Sequence, residues 1–238
     1  MKSLLPDFLS DVSKTKFEGE IMTNIEMETA AYYAFSASLG HEMISLNAIL
    51  ANPPFGGIVA NNNENNFPQN YRTKESADLF LILMIHLLKQ GGRAGIVLPD
   101  GSLTGDGVKQ RVRQKLLEEC NLHTIIRLPN SVFQPYATVA TNLLFFTKGT
   151  PTKEVWYYEH RLPEGAKAYN KTKPIQAKEF EPIKKWWNDR KESDIAWKVD
   201  IQTIIGTCSS NFSSVCTLTP PLALPDLGFR PAFSKIHR

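Results

Sequence analysis

An α/β fold whose last sheet strand runs against its neighbours is the class this sequence predicts, and two observations predict it. Strand-length apolar runs alternate with helical periodicity between residues 48 and 146. Only about a dozen residues, Pro129 and Pro135 among them, separate the strand-like runs 124–128 and 141–146. That gap is too short for a helical crossover, so these two strands are expected to be antiparallel neighbours.

Taken in order, 27–39 has the alanine and aromatic content of a helix, with Gly40 as its stop. Ala48-Ile49-Leu50-Ala51 reads as a buried strand, ended at Asn52-Pro53-Pro54 because two prolines cannot continue a ladder. Residues 56–72, rich in asparagine and poor in aliphatics, read as an exposed, mobile loop. Residues 76–90 place Leu79, Leu83 and Leu87 beside Phe80, Met84 and Leu88 at four-residue spacing, a helix closed by Gly91-Gly92. A strand is expected at 94–98, broken by Pro99-Asp100-Gly101, then a helix over 106–119 capped by Asp106. No repeat is visible. Four segments result: 1–47 without clear assignment, 48–149 carrying the sheet, 150–205 appended through its aromatics, and a disordered tail, 206–238.

The 238 residues are 42% hydrophobic, enough for one well-buried domain, and 21% charged, which is globular rather than disordered. A net charge of +3 is too mild to argue for nucleic acid by itself. Cys120, Cys208 and Cys216 fit no metal-ligand spacing, and the five histidines pair with nothing at such spacing, so neither a metal site nor a disulfide scaffold is expected. The N-terminus carries an acidic residue too early for a signal peptide, and the longest apolar run, 79–88, is about half a membrane span. A soluble cytoplasmic protein without a membrane partner is the expectation.

Asn52-Pro53-Pro54-Phe55 is the most informative motif. An exocyclic adenine amine is a poor nucleophile because its lone pair is delocalised into the ring. A site that methylates it should accept hydrogen bonds from both N–H groups. The Asn52 side-chain oxygen and the Pro53 carbonyl can supply two acceptors, and the prolines stiffen the turn that presents them. Phe55 offers a ring for a base swung out of the duplex, and the loop that follows can close over it. A bare motif of this kind also serves as a strand-ending turn with its phenylalanine in the core. Its place after a buried strand and before a loop and a helix–strand–helix–hairpin series favours chemistry.

Further runs follow in order: Ala51 to Gly57; Ala77-Asp78-Leu79-Phe80; Gly91-Gly92-Arg93-Ala94-Gly95-Ile96-Val97-Leu98-Pro99-Asp100-Gly101; Arg113-Gln114-Lys115-Leu116-Leu117; Ile126-Arg127-Leu128-Pro129-Asn130-Ser131-Val132-Phe133; and Thr141-Asn142-Leu143-Leu144-Phe145-Phe146. In these the chain resembles the modification subunit of type I restriction-modification systems. The resemblance covers roughly residues 48–205. It implies the C-terminal half of a Rossmann-like methyltransferase sheet, with 48–149 as the catalytic half. It also implies S-adenosylmethionine as methyl donor, adenine N6 of DNA as acceptor, and specificity and restriction subunits as partners. Asn52, Pro53, Pro54 and Phe55 would then be the catalytic turn, with Phe55, Gly56, Gly57 and Asp78 near the substrate. Asp78 equally suits a helix-start charge.

The family's glycine-rich D-P-x-C-G-T-G donor loop is missing from residues 1–47, whose only glycines are Gly19 and Gly40. Truncation at the front and a divergent tail are therefore expected, together with marginal stability and weak or no donor binding. Two rival readings are a non-catalytic remnant that binds partner subunits or DNA, and a protein-glutamine N-methyltransferase. The downstream Leu-Pro-x-x-Val-Phe and Thr-Asn-x-Leu-Phe-Phe patterns favour DNA modification over the latter. The basic residues Lys109, Arg111, Arg113 and Lys115 suit either phosphate contact or a solvated helix face. For Trp186-Trp187, packing is preferred to nucleic-acid stacking.

Overall fold

The computed structural model describes residues 46–59, 63–134, 136–206 and Leu218, with three two-residue strands before them. Those are β1 (Lys16–Phe17), β2 (Glu20–Ile21) and β3 (Thr23–Asn24). Then follow β4 (Leu46–Ala51), α1 (Ser76–Leu87), β5 (Leu88–Pro99), α2 (Asp100–Thr104), α3 (Val108–Glu119), β6 (Cys120–Arg127) and β7 (Thr141–Lys148). The chain continues through β8 (Glu154–Glu159), α4 (Glu181–Asn188), β9 (Ala196–Asp200) and α5 (Ile201–Gly206). The helix expected over 27–39, and the tail apart from Leu218, lie outside the described residues.

Seven strands form one sheet in the order β3-β4-β5-β7-β6-β8-β9. Strands β3, β4 and β5 are parallel, whereas β7 inserts between β5 and β6 and is antiparallel to both. The pairing expected from the short 129–140 gap is thus formed, with Ile125 opposite Leu144. The α/β class with a reversed strand holds. The segment 150–205 adds two strands and helix α4, with α5 beginning at its end: β8 lies parallel to β6, and β9 antiparallel to β8.

Period-two alternation sorts the strand side chains onto two faces. On one face Ile49, Ile96, Leu144, Phe146, Leu122, Val155 and Tyr157 pack with α1 and α3 in the larger core. On the other, Ile126, Leu128, Tyr158 and Ala196 meet Ile183 of α4, with Trp186 and Trp187 beside them. Trp187 meets Phe145 edge to face at 5.0 Å, so this pair packs as expected. Leu50, facing away from the larger core, is 48% exposed.

Three boundaries differ from the sequence expectation. Helix α1 ends at Leu87 rather than at the glycines, because Leu88 pairs with Leu46 and enters the sheet. Gly91 (φ 77°) then makes the turn, and a Cβ on Gly92 would stand 2.9 Å from the Leu46 carbonyl oxygen. Helix α3 is capped by Gly107 (φ 69°) without a side-chain bond, so Asp106 is not its cap. The break after Pro99 becomes the five-residue helix α2, too short to show a period.

Candidate active site

Parallel pairing of β4 with β5 (Ala51 opposite Ile96), and antiparallel pairing of β7 with both β5 and β6 (Pro99 opposite Thr141, Arg127 opposite Asn142), brings three strand ends to one edge. That edge carries Asn52 after β4, Asp100 after β5 and Leu128 after β6. Ligands of open α/β sheets bind outside the carboxyl ends of their strands.

At this edge Asn52 is exposed and Pro53 buried, with Pro54 and Phe55 half-buried. The turn is fastened to the start of α1: the Ser76 hydroxyl donates to the Pro54 carbonyl (3.0 Å) and the Ser76 N–H to the Gly57 carbonyl (3.1 Å). The carbonyl of Pro54 is therefore occupied. Among the described residues nothing donates to the Asn52 carboxamide or the Pro53 carbonyl. Gly56 adopts φ 66°, which glycine tolerates without strain. Gly57 is needed for another reason: a Cβ there would stand 2.7 Å from the Ser76 hydroxyl and 3.2 Å from the Pro54 ring.

The Phe55 ring meets Phe133 edge to face, with centroids 5.2 Å apart and planes at 81°. Phe133 belongs to the loop after β6, folded by turns such as Val132 N–H to Pro129 carbonyl (3.1 Å) and Tyr136 N–H to Phe133 carbonyl (2.9 Å). Sequence reading gave Phe133 no role. The available signal was an aromatic residue in a second strand-end loop, opposite the first. Ile58 and Tyr136, on the same two loops, are 77% and 88% exposed.

Two polar networks support this edge. Asp100 accepts hydrogen bonds from Arg127 and from Asn142 (2.8 Å), and Asn142 is fully buried. Burial holds Arg127 down at about 10, opposed by Glu159, so its guanidinium stays charged at neutral pH. The second network lies beneath the helices. Asp78, 1% exposed, accepts from the Ser102 hydroxyl and from Lys109, both at 2.7 Å, while Arg113 donates to the Ser102 carbonyl at 3.0 Å. Asp78 is thus not on the open side with Phe55. Both its oxygens are committed to joining α1 to α2 and α3, which replaces the substrate contact expected for it. The basic residues of α3 are likewise engaged within the protein. Arg111 donates to the Asn70 carbonyl, and Lys115 pairs with Glu119.

A Rossmann-like methyltransferase sheet with an Asn-Pro-Pro-Phe turn at its carboxyl edge is the class that fold and site define. The chain belongs to the N-6 DNA Methylase family, whose model matches residues 20–212. It is 53% identical over 167 residues to the type I restriction enzyme EcoEI methylase subunit of Escherichia coli, a match covering 67% of this chain and 34% of that protein. To the EcoKI methylase subunit of Escherichia coli K12 it is 31% identical over 159 residues, 63% of this chain and 29% of the relative. A crystal structure from Vibrio vulnificus YJ016, assigned as the modification subunit of a type I restriction enzyme, superposes with a TM-score of 0.67. It shows 42% identity and covers 73% of this chain and 37% of that one. The chain spans about a third of the length of these curated relatives. No described helix is long and apolar enough to cross a membrane.

Proposed function

We propose that this chain forms the adenine-holding part of a DNA adenine-N6 methyltransferase subunit of a type I restriction-modification system. S-adenosylmethionine is its methyl donor, and DNA with specificity and restriction subunits its partners. One observation carries the reading: a proline turn fastened to α1 by Ser76 leaves an exposed carboxamide at the carboxyl edge of the sheet. The Asn52 oxygen and the Pro53 carbonyl accept the two N–H groups of an extruded adenine, favouring the geometry that frees its lone pair. Phe55, backed by Phe133, supplies an apolar wall for the base. A non-catalytic remnant would have no need of an uncovered carboxamide on a stiff turn. The glutamine-methylating reading is disfavoured by the family match.

The donor does not fit the residues described. The D-P-x-C-G-T-G loop is absent from the sequence, and the Asp100 carboxylate at this edge is already taken by Arg127 and Asn142. No residue is therefore assigned to the donor, and the chemistry read here is confined to the acceptor side.

The test is a graft of the matched region into the EcoEI methylase subunit. The chimera, assembled with its specificity subunit, should label N6 of DNA adenine from tritiated S-adenosylmethionine. Asn52→Ala in the graft should reduce labelling by about 10²-fold or more, the size of losing one preorganised partner of the reacting group. Equal labelling by the two grafts would refute the reading.

A further inference from the structure

Between β8 and α4 a strap runs across the carboxyl edge and is tied to it twice. The His160 N–H donates to the Arg127 carbonyl at the end of β6 (2.9 Å), and the Tyr169 N–H to the Ser131 hydroxyl (2.9 Å), two residues before Phe133. Tyr169 is 4% exposed, and its hydroxyl donates to Glu179 at 2.5 Å. The His160 ring stacks on Phe180 at 5.2 Å. The next turn is fixed by Asn170, whose side-chain oxygen accepts from the Thr172 N–H (3.0 Å) and hydroxyl (2.7 Å) and the Lys173 N–H (2.9 Å). The strap is thus a shaped element, seated on the loop that carries Phe133.

Its charge is one-sided. Lys167, Lys171 and Lys173 are exposed, and Glu164 is the only acidic residue from 161 to 178. Among the described residues no carboxylate pairs with these three lysines. Elsewhere Lys109 pairs with Asp78, Lys115 with Glu119, Lys184 with Glu181, Lys191 with Asp189 and Lys198 with Glu154, whereas the strap gathers three exposed lysines within seven residues. An unpaired cationic strap beside an extrusion site for a base suits a polyanion lying along that edge.

We infer that Lys167, Lys171 and Lys173 form a phosphate-backbone contact that lays the DNA duplex along the strap, beside the Phe55–Phe133 wall. The inference rests on the function proposed above and adds to it a named surface. Such contacts position a duplex without reading its sequence.

The test is fluorescence anisotropy of labelled duplex DNA with the 238-residue chain from 50 to 200 mM NaCl. Each phosphate contact contributes a slope of about −0.9 in log affinity against log salt, so the triple variant K167Q/K171Q/K173Q should be shallower by about 2.7. Its deficit relative to wild type should therefore shrink about 40-fold across that range. A matched variant, K184Q/K191Q/K198Q, removes equal charge and should keep the wild-type slope. All three proteins should share one melting temperature, because the replaced lysines are exposed. A strap variant with the wild-type slope, or one no weaker than the matched variant, overturns the strap assignment alone. Absence of any salt-dependent duplex binding by the wild-type chain overturns the strap and the proposed function together.

Discussion

Phe55 and Phe133 meet edge to face at 5.2 Å, although they stand on loops that follow two different strands. The contact joins the Asn-Pro-Pro turn to the loop between β6 and β7. Edge-on aromatic pairs contribute about 0.5–1.5 kcal/mol beyond their buried area. A double-mutant cycle of Phe55→Leu and Phe133→Leu in urea denaturation should show coupling of that size. Strict additivity would mean that the two loops are independent.

Asp78 is predicted to act in folding. Replacement by alanine leaves Lys109 without its nearest carboxylate and removes the acceptor of the Ser102 hydroxyl. Breaking a buried pair in this way costs about 3–5 kcal/mol. Chemical denaturation should register the loss. A variant with unchanged stability but weakened DNA binding would return Asp78 to the substrate side.

His123 gives stability a pH dependence of known sign. Burial, then the nearby Arg190, pushes its pKa down from 6.5 to about 4, and burial also lowers that of His160. Between pH 6.5 and 4 the unfolded chain therefore binds more protons at His123 than the folded one. The contribution is complete above pH 6.5 and declines as pH falls towards 4. Urea midpoints taken at pH 7.5, 6 and 5 should decrease in that order, and His123→Phe should flatten the trend. A slope unaffected by the substitution would place its origin at other groups.

Leu218 should act as an anchor even though it lies far beyond α5. It is 1% exposed, its N–H donates to the Leu103 carbonyl (2.9 Å), and its own carbonyl accepts from the Tyr157 hydroxyl (3.1 Å). Leu218→Ala should cost about 2–5 kcal/mol, as for other buried leucines. Tyr157→Phe should cost about 1 kcal/mol, the size of one hydrogen bond. An alanine variant as stable as wild type would show that the anchor does not hold in solution.

Much of the sheet was legible because burial leaves a period. The short apolar run from Leu143 to Phe146 marked a strand, the four-residue spacing from Leu79 to Leu88 marked a helix, and the length of 129–140 fixed an antiparallel pair. The Asn52 turn was legible because prolines end a ladder wherever they fall. What escaped depends on partners distant in sequence. Nothing local to Asp78 announces Ser102 and Lys109, and Leu88 becomes a strand residue only because Leu46 is there to pair with it. Phe133 was in view but had no evident neighbour until two loops met at one edge. Helix α2 was missed for want of length, and β8 and β9 because aromatic-rich runs suit packing on a sheet as well as joining it.

The central claim is that the Asn52 oxygen accepts a hydrogen bond from an adenine amine, and it can be measured without methyl transfer. Duplexes carrying one unpaired adenine, or one unpaired purine lacking the amine, present a base whose extrusion costs little. With two acceptors for the amine, the wild-type chain should bind the adenine duplex roughly 30-fold more tightly, the equivalent of about 2 kcal/mol for two such bonds, and Asn52→Ala, left with the Pro53 carbonyl, should keep only about 5-fold. Equal affinity of the wild-type chain for both duplexes, or undiminished wild-type discrimination in Asn52→Ala, would contradict the claim.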